Sequence, residues 1–170
     1  MNVNDTMVFE QLFREYYPSL CLYADRYLSD PEAAKDIAED AFVKLWTQEQ
    51  PIDPGKVKSW LYTTTRNACL DLLRRNKVRR KNSQILAFLS QAETEDFHLQ
   101  EMIRAEMLEQ LYKALQQLPE QCRIIFSKLY IEGKAMDEAA EELNLSINTI
   151  KSQKARGLRL LRSKFSLDIG

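Results

Sequence analysis

Apolar side chains recur at three- and four-residue steps along almost the whole chain, and no segment sustains the two-residue alternation of a half-buried strand. That period restricts the fold to packed helices. Phe9, Leu12, Phe13, Tyr16, Leu20, Tyr23 and Tyr27 make a first apolar stripe. Pro18 interrupts it, and a kink or break is expected there, because proline removes a backbone donor and crowds the preceding turn. Asp30-Pro31-Glu32 then reads as a helix start, with a capping side chain, proline at the first helical position and an acid in the first turn. That helix is expected to run to about Trp46, with Ala34, Ile37, Ala38, Ala41, Leu45 and Trp46 facing inward. After the loop QEQPIDPG, a third helix over 56–81 carries Val57, Trp60, Leu61, Ala68, Leu72 and Leu73. The stretch 82–102 has mixed periodicity and an acidic centre, with a short amphipathic piece at Ile85, Leu86, Phe88 and Leu89. It reads as a linker. Further helices are expected over 103–117, 119–131, 136–143 and 147–164. The expected fold is all-α, with two small helical domains at 1–81 and 103–170 joined by a flexible linker at 82–102.

Composition agrees. Glycine and proline together number 9 of 170 residues, too few for a loop-rich sandwich, and 45% apolar residues support buried cores. No apolar run approaches the ~18 residues of a membrane span. The start, MNVNDTMVFEQLF, lacks the basic and apolar regions of a signal peptide, so a cytoplasmic chain with no membrane insertion is expected. Cys21, Cys69 and Cys122 are odd in number, widely spaced and set among apolar residues, which suits reduced thiols acting as small hydrophobes. One histidine, His98, in a polar stretch where exposure is expected, is too few for a Cys/His zinc site. No nucleophile elbow, phosphate-binding loop or zinc-protease motif is present. No catalytic residue, metal or cofactor is expected.

The net charge of −1 argues at first sight against nucleic acid. Divided along the chain, it reads otherwise: −6 over residues 1–50, +7 over 51–83, −5 over 84–122 and +3 over 123–170. Such alternation carries more information than the total. It also implies that the free chain has little affinity for random DNA, because its cations are offset internally.

The most specific local signal is MDEAAEELNLSINTIKSQKARGLRLLRSKF. Ala139, Ala140 and Leu143 give a short helix a compact inner face. Asn144 suits a left-handed turn position, and Ser146 suits the N-cap of the next helix. The pattern is a helix-turn-helix. In its second helix Ile147, Ile150, Gly157, Leu158 and Leu161 share one side, while Asn148, Ser152, Arg156, Arg159 and Ser163 share the other. Residues 147–164 hold six basic and no acidic side chains, as phosphate contact requires. Thr149 and Lys151 stand near its start.

A second basic surface closes the third helix, where RRNKVRRK places Arg74, Arg75, Lys77, Arg79, Arg80 and Lys81 within eight positions. Trp60 and Tyr62, nearer its start, could stack on bases or pack in the core. In the second helix Asp36, Glu39 and Asp40 cluster opposite the core stripe, with Val43 and Thr47 on the same face. An apolar residue amid surface carboxylates suits a protein-binding surface.

Taken in order, these pieces resemble the RNA polymerase sigma factors of the extracytoplasmic-function type. FEQLFREYYPSLCLYADRYLSDPEAAKDIAEDAFVKLW is similar to the start of that family's region two, VKSWLYTTTRNACLDLLRR to its promoter-reading end, and residues 108–162 to region four. The resemblance implies a specificity subunit that binds core RNA polymerase and directs initiation. It gives Asp36, Glu39, Asp40 and Val43 to docking on the clamp helices of core polymerase. It gives the third helix and the loop before it to melting the minus-ten element and capturing a flipped base, with Trp60, Arg66 and Asn67 at matching positions and Arg74, Arg75 and Lys77 as cations for the strand. It gives Asn148, Thr149, Lys151, Ser152, Arg156 and Arg159 to the minus-thirty-five element, and it implies an anti-sigma factor as a further partner. Three features depart from the family: Ala135 stands where Ser or Thr is common, Glu39 replaces the usual Gln, and the loop 48–56 is individual to this chain. A stand-alone helix-turn-helix repressor or activator with a helical dimerisation domain is the alternative; it has no need of the basic surface on the third helix. A helical enzyme has no motif in support.

Overall fold

A computed structural model of the chain describes residues 5–50, 52–80 and 83–166, without the side chains at 77–80, 83 and 166. The described residues are helical, with no strand among them, and divide into two units between Glu109 and Gln110.

In the first unit α1 (Thr6–Leu28) is capped by Asp5, whose carboxylate accepts the Met7 N–H at 3.0 Å. It closes at Ser29, which takes a left-handed φ of 49° and donates its N–H to the Asp25 carbonyl at 2.7 Å. The helix runs through Pro18 without the expected break. Phe13 before the proline and Tyr17 beside it both pack on Phe42, while Leu20 and Tyr23 after it are fully buried. One continuous apolar stripe thus outweighs a penalty of about 3 kcal/mol for an interior proline. The Asp30-Pro31 start of α2 (Pro31–Trp46) forms as read, with the Asp30 carboxylate accepting from Glu32 and Ala33 N–H at 3.1 Å. A short 3₁₀ turn, Pro54–Lys56, leads into α3 (Val57–Arg80). Val57, Leu61, Tyr62, Thr65 and Cys69 of α3 are buried against α1 and α2. Burying one such large apolar side chain is worth about 1.5–3 kcal/mol.

The stretch read as a linker is ordered differently. It forms α4 (Ser83–Ala92) and the start of α5 (Glu95–Gln116). Leu89, Ala92, Phe97 and Ala105 are buried in the first core, so this segment belongs to the first unit. Thr94 begins α5 by accepting the Phe97 N–H at 3.2 Å, with Glu95 and Asp96 in the first turn. That Thr-Glu-Asp start was present in the sequence. His98 is likewise buried rather than exposed, with its Nδ1 2.5 Å from the Tyr23 hydroxyl.

In the second unit α6 (Glu120–Phe126) continues into a π-helical turn, Ser127–Ile131, where a single helix over 119–131 was expected. Next come α7 (Met136–Glu142) and α8 (Ile147–Ser166). Asn144 sits at φ 54° in the turn between them, as read from the sequence, and Ser146 Oγ accepts the Thr149 N–H at 3.0 Å. Ala114, Leu118, Cys122, Phe126 and Leu161 form one small core and Ile125, Ala140 and Ile150 another. Gly157 lets α8 approach α6 closely, because a Cβ there would run into the Phe126 ring.

Candidate nucleic-acid and protein interfaces

α8 is amphipathic in the predicted sense. Ile150, Gly157 and Leu161 are buried, while Asn148, Lys151, Ser152, Arg156 and Arg159 are exposed. Ile147, read as part of the inner face, is 45% exposed. Thr149 is half-buried and engaged in the cap, with its hydroxyl 2.9 Å from that of Ser146. Lys151, Arg156, Arg159 and Arg162 have no acidic partner among the described residues. Lys154 differs, lying 5.6 Å over the Tyr130 ring. From Asn148 to Arg159 the helix rises about 16 Å, a length that fits along a major groove.

The first helix of the pair is braced by charge. Lys128 and Lys134 contact the Glu142 carboxylate at 2.9 and 2.7 Å, and these two hydrogen-bonded cations hold its pKa down at about 2. Ala135 supplies no side-chain cap, but Glu138 accepts the Ala135 N–H at 2.9 Å. The second unit also carries an apolar groove of about 630 Å³, lined by Tyr112, Leu115, Ile124, Tyr130 and Leu158 among others. Sequence periodicity did not reveal it, because these residues follow the same helical spacing as core residues.

On α2, Asp36, Glu39 and Asp40 are exposed together with Val43, which is 58% exposed. Glu39 accepts a hydrogen bond from the Tyr17 hydroxyl at 3.1 Å, which fixes one carboxylate of the cluster. Trp46, read as a core residue, is 40% exposed and packs edge-on against Phe9 at 4.9 Å.

α3 divides its predicted residues. Asn67, Arg74 and Arg75 are exposed and Trp60 is half-buried. The side chain of Lys77 lies outside the described residues. Tyr62 cannot stack on bases in this fold, because it is fully buried and meets Tyr23 edge-to-face at 5.1 Å. Arg66 is not presented to solvent either; its side chain is 11% exposed. Its guanidinium donates to Glu95 Oε1 at 2.6 Å and to the carbonyls of Glu93 at 2.7 Å and Thr94 at 3.3 Å. Arg74 donates to the Glu93 carboxylate at 2.9 Å. Sequence reading missed the turn at 93–95 as a partner of α3.

The thiols are free and inward. Cys69 is fully buried, which pushes its thiol up to about 12, and Cys122 lies 3.1 Å from Gln153 Oε1. Among the described residues no cluster of three or more His, Cys, Asp or Glu is placed to hold a metal ion. Nor is any helix among them long and apolar enough to cross a membrane.

These surfaces coincide with two family matches. Residues 12–79 match the Sigma-70 region 2 family and residues 108–161 match Sigma-70 region 4, together more than two thirds of the chain. The chain is 26% identical over 152 residues to RNA polymerase sigma factor SigZ of Bacillus subtilis, covering 89% of this chain and 83% of that one. It is 27% identical over 164 residues to ECF RNA polymerase sigma factor RpoE of Cereibacter sphaeroides, covering 95% and 88%. It is 26% identical over 165 residues to the ferric citrate uptake sigma factor FecI of Escherichia coli, covering 95% of each chain. With a region 2 bundle, a region 4 helix-turn-helix and relatives matched over nearly their full length, this chain belongs to the extracytoplasmic-function sigma factors, RNA polymerase subunits that direct promoter-specific transcription initiation.

Proposed function

We propose that the chain divides this work among three faces. α8 reads the minus-thirty-five element in the major groove, using Asn148, Lys151, Ser152, Arg156 and Arg159, with Thr149 steadying the helix start. α3 and the loop before it open the minus-ten element, with Trp60 and Asn67 toward a flipped base and Arg74, Arg75 and Lys77 toward the strand. The acidic face of α2, Asp36, Glu39, Asp40 and Val43, docks on the clamp helices of core polymerase. An anti-sigma factor holds the free chain in the cytoplasm, and the apolar groove of the second unit suits such a protein partner.

The observation that carries this reading is the outer face of α8, where Lys151, Arg156, Arg159 and Arg162 have no acidic partner among the described residues. Charges left unpaired inside a fold are free to meet phosphate. The test adds the purified chain to core polymerase. Co-elution, followed by start-site selection at a defined set of promoters, is expected. Tight binding to duplex DNA with no co-elution would instead support a stand-alone repressor.

A further inference from the structure

Lys58, Arg66 and Arg74 stand eight residues apart on α3 and span about 24 Å of helix. Each meets an acid from the same following segment: Lys58 with Glu106 at 2.6 Å, Arg66 with Glu95 at 2.6 Å, and Arg74 with Glu93 at 2.9 Å. The backbone joins in, since the Glu93 and Thr94 carbonyls both accept from Arg66. We infer that α4, the turn at 93–95 and the first half of α5 form a strap that occupies the cationic side of α3 in place of a DNA backbone, and that it must leave before α3 can take the minus-ten strand. This rests on the reading of α3 as the minus-ten surface.

Six points carry the inference. A row of carboxylate and carbonyl oxygens offers guanidinium and ammonium groups the same acceptors as a row of phosphates. The strap lies between the two stretches matched to sigma families, while its three cationic partners lie within the first of them. The clamp is imperfect, because Arg66 Nε is buried with no acceptor among the described residues. The ion pairs are also releasable, since Lys58, Arg74 and Glu95 are well exposed and such pairs are individually weak. Leu89, Ala92, Phe97 and Ala105 anchor the strap in the core, so it closes in the free protein and needs a competing ligand to open. Arg75, exposed and bonded among the described residues to the Asp71 carbonyl of its own helix, is placed to make first contact.

The test uses the full chain carrying Glu93→Gln, Glu95→Gln and Glu106→Gln together. A fluorescein-labelled single-stranded oligonucleotide of mixed sequence is titrated with the free protein and followed by anisotropy. Release of three cations is expected to steepen log K against log salt by about 2, so the variant loses about twentyfold more affinity than its parent over a fourfold rise in salt. Unchanged affinity and slope in a variant with the parental melting temperature would overturn the strap. Should the variant melt early, hydrogen exchange of the unaltered holoenzyme decides instead. Protection over 89–106 is expected to fall when forked minus-ten DNA is added, and constant protection overturns the proposal. A holoenzyme carrying Arg74→Ala and Arg75→Ala separates the two readings. If it opens promoters normally, the reading of α3 fails, and the strap with it. If it fails to open them while the glutamine variant and the exchange data are unchanged, only the strap fails.

Discussion

Gly157 shows how much one side chain can decide. Alanine favours a helix interior over glycine by roughly 0.5–1 kcal/mol. At 157, however, the added methyl would meet the Phe126 ring. Steric cost wins where rings cannot withdraw, so Gly157→Ala should destabilise the second unit by about 1–3 kcal/mol. Calorimetry should show a drop of several degrees, partly recovered when Phe126→Leu is added. His98 makes a second case. Burial pushes its pKa below the ordinary 6.5, with Arg66 nearby adding to the effect and Glu95 opposing it; the Tyr23 hydroxyl meets its Nδ1 and is itself bonded to the Tyr27 hydroxyl. The unfolded chain therefore binds a proton that the folded chain refuses, and stability declines as pH falls below 6.5. Urea midpoints should fall between about pH 7.5 and 5.5, and His98→Gln should flatten that dependence. Asn144, Ser146 and the Asp30 cap were legible in the sequence because their partners lie within three residues. Arg66 and His98 were not, because their partners lie 27–29 and 75 residues away.

At the scale of elements, periodicity located α2, α3 and α8 well, since each buries one face against neighbours that any amphipathic helix would need. It failed at 82–102. There α4 and α5 bury only a few apolar residues each, and long polar side chains make the remaining contacts, so the stripe is too sparse to read. It also missed the π turn after α6, which inserts a residue without changing the composition. α8 supplies the prediction that belongs here. Lys151→Ala with Arg156→Ala removes two exposed cations and no core atom, so folding should change by less than about 0.5 kcal/mol each. Promoter affinity should fall with a shallower salt dependence, by about 0.9 per lost phosphate contact. Binding to core polymerase should be unchanged in a co-elution assay. Equal loss of both would show that the substitution had unfolded the second unit.

For the whole molecule, the near-neutral total charge is the sum of surfaces with separate duties. The +7 block belongs largely to α3, and part of the following −5 block pairs with it internally. The +3 block is left open on α8, while the −6 block includes the exposed face of α2. That division predicts that polymerase docking and promoter reading can be lost independently. Asp36→Lys with Asp40→Lys places two cations on the docking face, at exposed positions that do not contribute to the first core. The fold should persist, with far-UV helicity and melting temperature close to the parent. Facing the same partner surface, two reversed charges should cost about 2 kcal/mol or more, a loss of at least about thirtyfold in affinity for core polymerase. Size-exclusion chromatography with core polymerase should then show the variant eluting alone. The isolated variant should still bind the oligonucleotide as its parent does, because α3 and α8 are untouched. If it co-elutes with core as well as the parent does, the acidic face of α2 lies outside the interface and docking must be sought elsewhere on the first unit.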